Sequence, residues 1–161
     1  MKLLTIILFT AVVMGGTASE SNAEDSSAQV NLWQKAADQG DAAAQLSLGN
    51  AYYSGTGVEK DGKKAIFWLL KSAHQGSPDA QYEIGNAYFF GHGVEQNDKE
   101  GVRWFRKAAE RGHVDAQFNL GTAYFHGQGV EEDREEAFFW WRTAAGRGDT
   151  KAQEFLDKYA K

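Results

Sequence analysis

The feature that most constrains the fold of this chain is a repeat of 36 residues. Thirteen of the sixteen glycines after residue 23 fall in four columns with this spacing. Alanine, glutamine, tyrosine, valine and tryptophan columns keep the same register. The glycine columns are Gly40, Gly76, Gly112 and Gly148; Gly49, Gly85 and Gly121; Gly55, Gly91 and Gly127; and Gly57, Gly93 and Gly129. A fixed period of this length is typical of repeat architectures, so it constrains the fold more strongly than local propensity does.

Each period predicts two helices joined by a glycine-rich turn. Ala80, Ile84 and Tyr88 follow helical spacing and predict a first helix that ends at Gly91. Glycine suits this end because it reaches the left-handed backbone conformation that a tight helix exit requires. A second helix is predicted to begin at Asn97, because asparagine caps helices well and Glu100 follows three residues later.

The glycines at Gly49, Gly85 and Gly121 fall inside the predicted first helices. Each is expected to cost about 1 kcal/mol relative to alanine at an exposed helical position. Their recurrence predicts that a neighbouring helix approaches closely there, with a tryptophan or tyrosine packed over the gap. Gly101 lies where the other units have alanine. It is expected to make the second helix of its unit less stable.

One such unit cannot bury its apolar face alone, so neighbouring units must stack and the terminal units must present polar outer sides. We therefore predict an all-α fold, a short right-handed α-solenoid with a 36-residue period. Its parts are a half repeat at 29–40, full repeats at 41–76, 77–112 and 113–148, and a C-terminal capping helix at 149–161.

The N-terminal residues have the layout of a secretory signal peptide. Lys2 precedes an apolar run at 3–16, and small and polar residues follow. Fourteen helical residues are too short for a hydrocarbon core of roughly 30 Å, so a retained membrane anchor is the weaker interpretation. We predict a signal peptide at 1–23 and a polar spacer without helix pattern at 24–28. Cleavage after 17–19 and a buried N-terminal helix are the alternatives.

The repeat columns resemble those of the Sel1-like repeat family, relatives of the tetratricopeptide repeat. The pattern A-x-x-x-L/I-G-x-A-Y is followed by G-x-G-V-x-x-N/D, by W-x-x-x-A/S-A/H and by a closing glycine, and it covers most of residues 29–161. The resemblance implies a scaffold that binds proteins or peptides, similar to exported envelope regulators and host-contact factors. A cysteine-rich subgroup is linked to penicillin binding and hydrolysis, but this chain has no cysteine, so that activity is not carried over.

Composition and motifs favour a binding protein over an enzyme. A net charge of -5 with no basic stripe argues against nucleic acid as a partner. The four histidines form no i, i+4 pair, and no cysteine ligand exists, so we predict no metal site and no cofactor. Paired carboxylates at 131–136 leave a hydrolase acting on cell-wall or β-lactam-like substrates as the alternative, although a solvated helix N-terminus explains them.

The predicted binding surface is the concave side, formed by first-helix residues that lie off the buried stripe. Large apolar side chains around a hydrogen-bonding one are suited to holding a peptide. The alternative is that these aromatics form the core between repeats. Phe90 is the first choice, because its column changes chemistry from unit to unit. The candidates are Asn50, Tyr53, Tyr82, Asn86, Phe89, Phe90, Phe118, Thr122, Phe125 and His126.

We predict that the mature protein lies outside the cytoplasm. The predicted location is the periplasm, and secretion is the alternative. We expect no stable membrane insertion after cleavage. Mass spectrometry of the exported protein is expected to find the mature N-terminus at or near Glu24. An intact Met1 on a membrane-embedded protein would contradict the prediction.

Overall fold

A computed structural model describes residues 18–160, and this range is helical with short connections and no strand. Each helix packs most extensively against the next along the chain, which produces a row of antiparallel helix pairs. The predicted all-α solenoid is confirmed. The eight helices of the described range are α1 (Ala18–Asp38), α2 (Ala42–Ser54), α3 (Gly62–His74), α4 (Pro78–Phe90), α5 (Asp98–Glu110), α6 (Val114–His126), α7 (Arg134–Ala145) and α8 (Thr150–Tyr159).

The N-terminal segment differs from the prediction where the structure describes it. Most of the predicted signal peptide lies outside the described residues. Helix α1, however, runs through 24–28, where we expected a polar spacer without helix. The turn of the first unit packs against this part of α1, because a side chain at Gly57 would lie 2.5 Å from the carbonyl oxygen of Ser26. Residues 24–28 are therefore helical and packed against the first unit, although their sequence shows no amphipathic pattern. No helix in the described range is long and apolar enough to cross a membrane.

Two columns of side chains cap the helices, and both keep the 36-residue register. Asn97 accepts a hydrogen bond from the Glu100 backbone N–H at 3.1 Å, as predicted. The Glu100 carboxylate accepts from Arg103 at 2.6 Å, so the expected capping box is formed on one side only. His113 caps α6 through Nδ1, a role the sequence did not predict. First helices are capped by Asp41, Ser77 and His113, second helices by Asp61, Asn97 and Asp133, and α8 by Asp149.

The turn after each first helix depends on glycine. Gly91 has φ 73°, in the left-handed region, and its N–H donates to the carbonyl of Ala87. The turn closes when the N–H of Asn97 donates to the carbonyl of Tyr88 at 2.8 Å. The Gly91 end of α4 is therefore as predicted, and the same bonds recur in the other two full units.

The glycines inside the first helices permit close helix packing. A Cβ at Gly85 would lie 2.5 Å from Cδ1 of Phe105, and one at Gly121 would lie 2.6 Å from Cδ1 of Trp141. The packing role is confirmed. Trp141 covers Gly121, as predicted, whereas Leu69 and Phe105 cover Gly49 and Gly85 in place of the expected tryptophan or tyrosine. These three side chains share one column of the second helices, which faces the paired first helix.

Gly101 also has a packing role. It is buried in the uninterrupted helix α5, and a Cβ there would lie 3.1 Å from the ring of Phe89. Such a Cβ would also lie 3.0 Å from the carbonyl oxygen of Gly85, so there is little room for a side chain here. Phe89 is therefore packed against α5 on one side, which matters for the surface described below.

Buried glutamines join successive units. Gln81 Nε2 donates to the carbonyl of Ala73 at 3.0 Å, and Gln117 Nε2 donates to that of Ala109 at the same distance. Both side chains are buried. Each bond links a first helix to the end of the preceding second helix, which explains why glutamine recurs in this column.

Trp104 is 8% exposed and packs with buried residues of α3 and α4, such as Leu69 and Ile84. Trp104 lies in the central full repeat, so the register predicts cover from both neighbouring units. In the structure the cover comes from the preceding unit and from its own unit, because α5 packs its tryptophan face toward α3. Trp33, in α1, is only half-buried.

This difference predicts unequal costs of truncation. Trp104→Ala is expected to lower the free energy of unfolding by about 3 to 5 kcal/mol, and Trp33→Ala by distinctly less. Chemical denaturation followed by circular dichroism measures both values. Equal losses would contradict the predicted difference between a central and a terminal unit.

Candidate peptide-binding surface

The first helices α2, α4 and α6 place equivalent residues of successive units side by side. Their inner stripes are buried, as at Leu48, Ile84 and Leu120. We call the remaining, outward side of these three helices the first-helix surface. All ten predicted contact residues lie off these stripes or at the end of a first helix, and they differ in burial.

Three predicted aromatics have most of their surface packed within the protein. Tyr82 stacks on His113 with ring centroids 4.4 Å apart. Phe118 contacts the ring of Phe155 at 5.3 Å, and Phe125 lies 5.2 Å from the ring of Trp141. For Tyr82, Phe118 and Phe125 the structure therefore favours the alternative, in which these columns form the core between repeats.

An exposed aromatic group spans the first two full units. Tyr53 Oη lies 2.7 Å from His92 Nδ1, although the two residues are 39 positions apart. Phe90 is 59% exposed, and its ring lies 5.9 Å from that of His92. Phe89 supports Phe90 from beneath at 5.5 Å. We call Tyr53, Phe89, Phe90 and His92 the aromatic patch.

His92 is a member that the sequence analysis missed. It occupies a loop column with Thr56 and Gln128, and such variation between units predicts a solvated loop residue. The hydrogen bond to Tyr53 forms because the turn of one unit lies beside the first helix of the preceding unit. Sequence spacing within one repeat gives no signal for a contact of this kind.

A small cavity of about 170 Å³ adjoins the patch between α4 and α6. Phe89, Phe90 and Phe105 give it apolar walls, while Asn119, Thr122 and Gln128 supply polar groups. The hydroxyl of Thr122 donates a hydrogen bond to the carbonyl oxygen of Phe118 at 3.0 Å. The half-buried amide of Asn119 has no hydrogen-bond partner among the described residues, so it is available to a ligand.

Glu83 is a second residue that the sequence analysis missed. It lies half-buried on α4, in the same column as Ser47 and Asn119. Burial raises the pKa of its carboxyl above the ordinary value; a hydrogen bond from Asn86 opposes the rise and the charge of Asp79 adds to it. The signal in the sequence was an acid in the middle of α4, in a column where the other units carry the uncharged Ser47 and Asn119.

The remaining predicted contacts are exposed to different degrees. Asn50 and His126 are exposed, whereas Asn86 and Thr122 are half-buried. His126 lies at the end of α6, with its ring 5.1 Å from Phe125. These four residues flank the aromatic patch and the cavity.

A larger cavity of about 440 Å³ lies between α3 and α5. Trp104 lines it, but Lys107 Nζ lies 3.8 Å above that ring and Arg111 lies over Gly76. Long charged side chains therefore cover its apolar wall. The cavity beside the aromatic patch is the better candidate for an apolar ligand group.

The acidic cluster at 131–136 has a structural role. Asp133 accepts hydrogen bonds from the N–H groups of Glu135 and Glu136 at the start of α7. Glu132 pairs with Arg134 at 3.4 Å, and most of the segment is exposed. Within residues 18–160 no group of three acidic or histidine side chains is placed to hold a metal ion.

Two solved structures are similar to this chain in both fold and sequence. A protective antigen present in uropathogenic Escherichia coli strains, which displays an SLR fold, is 38% identical with a TM-score of 0.77. The match covers 79% of this chain and 27% of that chain. A Sel1 repeat protein from Oxalobacter formigenes is 37% identical with a TM-score of 0.78, over 84% of this chain and 55% of that one.

A more distant similarity concerns the fold alone. Helicobacter pylori cysteine rich protein B is 22% identical with a TM-score of 0.66, and the match covers 88% of this chain and 99% of that chain. No curated protein gives a significant match.

The model of the Sel1 repeat matches residues 30–41, 42–77, 78–113 and 114–149. These segments begin one residue after the predicted repeat boundaries and cover most of the chain. The fold is typical of scaffolds for protein–protein interaction. The chain therefore belongs to the Sel1 repeat family.

Proposed function

We propose that this protein is a non-enzymatic scaffold that binds a protein or peptide segment on the first-helix surface. The aromatic patch and the adjoining cavity form the contact site. The observation that carries the proposal is the exposure of Phe90, a large apolar side chain that is 59% exposed and lines the cavity between α4 and α6. Aromatic side chains, phenylalanine among them, are enriched at the cores of protein interfaces.

The chemistry of the site supports a peptide as the bound group. Phe89 and Phe90 offer apolar contact, and the free amide of Asn119 can donate to a peptide carbonyl and accept from a peptide N–H. A cavity of about 170 Å³ is smaller than the roughly 300 Å³ at which pockets for whole small molecules begin, so it suits one side chain of a longer ligand.

Export is the second part of the proposal. The layout of residues 1–23 supports secretion, and the similar Escherichia coli protein is described as a protective antigen. We propose that the protein acts in the cell envelope or in contact with host cells. The hydrolase alternative has no comparable support, because the carboxylates at 131–136 are explained by helix capping and solvation.

Phe90→Ala tests the binding site. The substitution is expected to weaken binding by at least about 1 kcal/mol, while the free energy of unfolding changes little because the ring is exposed. Phe67→Ala is the matched control, since Phe67 is 51% exposed but belongs to the second helix α3. The ligand is a peptide enriched from a random twelve-residue phage library on the wild-type protein, and its affinity is measured by calorimetry.

Equal affinities for the wild type and the Phe90→Ala variant would contradict this site. So would a loss of affinity in Phe67→Ala as large as that in Phe90→Ala. A fall in unfolding free energy of several kcal/mol in Phe90→Ala would instead identify Phe90 as a core residue.

A further inference from the structure

The charged lysine, arginine, aspartate and glutamate positions within the three helices of the first-helix surface are all acidic. The chain has 17 lysines and arginines, but none of them lies in α2, α4 or α6. The same helices carry the acids Asp79, Glu83 and Asp115. A groove lined by charge of one sign favours a ligand of the other sign.

Glu83 is the one half-buried acid of these three, since Asp79 and Asp115 are exposed. It forms none of the ion pairs in the described part of the chain, whereas Asp79 lies 3.5 Å from His113 Nε2. The equivalent residues on the neighbouring helices, Ser47 and Asn119, carry no charge. A half-buried carboxylate without a cation is costly to the folded protein, and its raised pKa reflects this cost.

The positive groups near the surface lie elsewhere. Lys60 Nζ is 5.8 Å above the ring of Tyr53, and the Arg134 guanidinium lies 5.3 Å from the ring of Phe125. Both rings lie in the last turn of a first helix. The surface therefore carries a negative centre at Glu83, with its positive groups at the ends of the first helices.

The position of Glu83 sets a spacing for the ligand. Glu83 precedes Phe89 and Phe90 by six and seven residues on α4, which corresponds to roughly 10 Å along the helix axis. An extended peptide advances about 3.3 Å per residue, so roughly three residues span this distance.

We propose that Glu83 binds a lysine or arginine of the partner segment, about three residues from the bulky apolar residue that contacts Phe90 and the cavity. This proposal rests on the proposed function, and it assigns the partner a chemistry: a basic and apolar peptide segment. Glu83 then acts as the specificity-determining residue of the surface.

The experiment is a selection of the random twelve-residue phage library on the wild type, on Phe90→Ala and on Glu83→Gln. Peptides enriched by the wild type are expected to contain a lysine or arginine near a bulky apolar residue. Glu83→Gln is expected to bind such a peptide about tenfold more weakly, and to lose the discrimination between the peptide and its version with the basic residue replaced by glutamine. Asp115→Asn, which removes an exposed acid from α6, is the matched control.

The folded state of the variant supplies an independent readout. Because the folded-state pKa of Glu83 is raised, its ionised form weakens the protein at pH values above that pKa. Glu83→Gln is therefore expected to unfold at the same denaturant concentration as the wild type or at a higher one at pH 7. Weaker binding by a variant of unimpaired stability separates a ligand contact from a structural role.

The outcomes distinguish the two proposals. If enriched peptides lack basic residues, or if Asp115→Asn reduces binding as much as Glu83→Gln does, the role of Glu83 is overturned while a loss of binding in Phe90→Ala still supports the site. If enriched peptides bind Phe90→Ala as well as they bind the wild type, the proposed function itself fails. A large loss of stability in Glu83→Gln would also overturn the role of Glu83.

Discussion

The close contact between a glycine of each first helix and a large side chain of the paired second helix is the constraint on which the structure depends. Cδ1 of Phe105 lies where a Cβ at Gly85 would meet it at 2.5 Å. Glycine costs helix propensity, about 1 kcal/mol at an exposed position, yet it recurs three times in this column. The gain is a helix pair close enough to bury Leu69, Phe105 and Trp141 almost completely.

This packing also determines the surface available for binding. Because the two helices of every unit pack in the same way, equivalent residues of successive first helices lie side by side. Residues 36 positions apart in the sequence are therefore neighbours. Columns that must pack keep their chemistry, as the buried glutamines do. The column of Ser54, Phe90 and His126 is exposed and changes from unit to unit, which is where a specific ligand would be distinguished.

The periodic part of the structure could be predicted from the sequence, and the contacts between units could not. Helix ends at Gly91 and Asn97 follow from local capping chemistry, which acts within a few residues. The bond from Tyr53 to His92 depends on how one unit's turn lies beside the previous helix. The packing of Phe105, rather than Trp104, over Gly85 depends on the rotation of one helix against another. Neither property is encoded by spacing within one repeat.

A double-mutant cycle on Gly85 and Phe105 tests the central contact most directly, with the free energy of unfolding measured by chemical denaturation. Gly85→Ala alone is expected to destabilise by roughly 1 to 3 kcal/mol, because overpacking outweighs the better helix propensity. In a Phe105→Val background, which lacks the ring atoms that meet the new Cβ, the same substitution is expected to cost much less or to stabilise, so the two changes are coupled. Additive effects, or a stabilising Gly85→Ala in the wild-type background, would contradict the account.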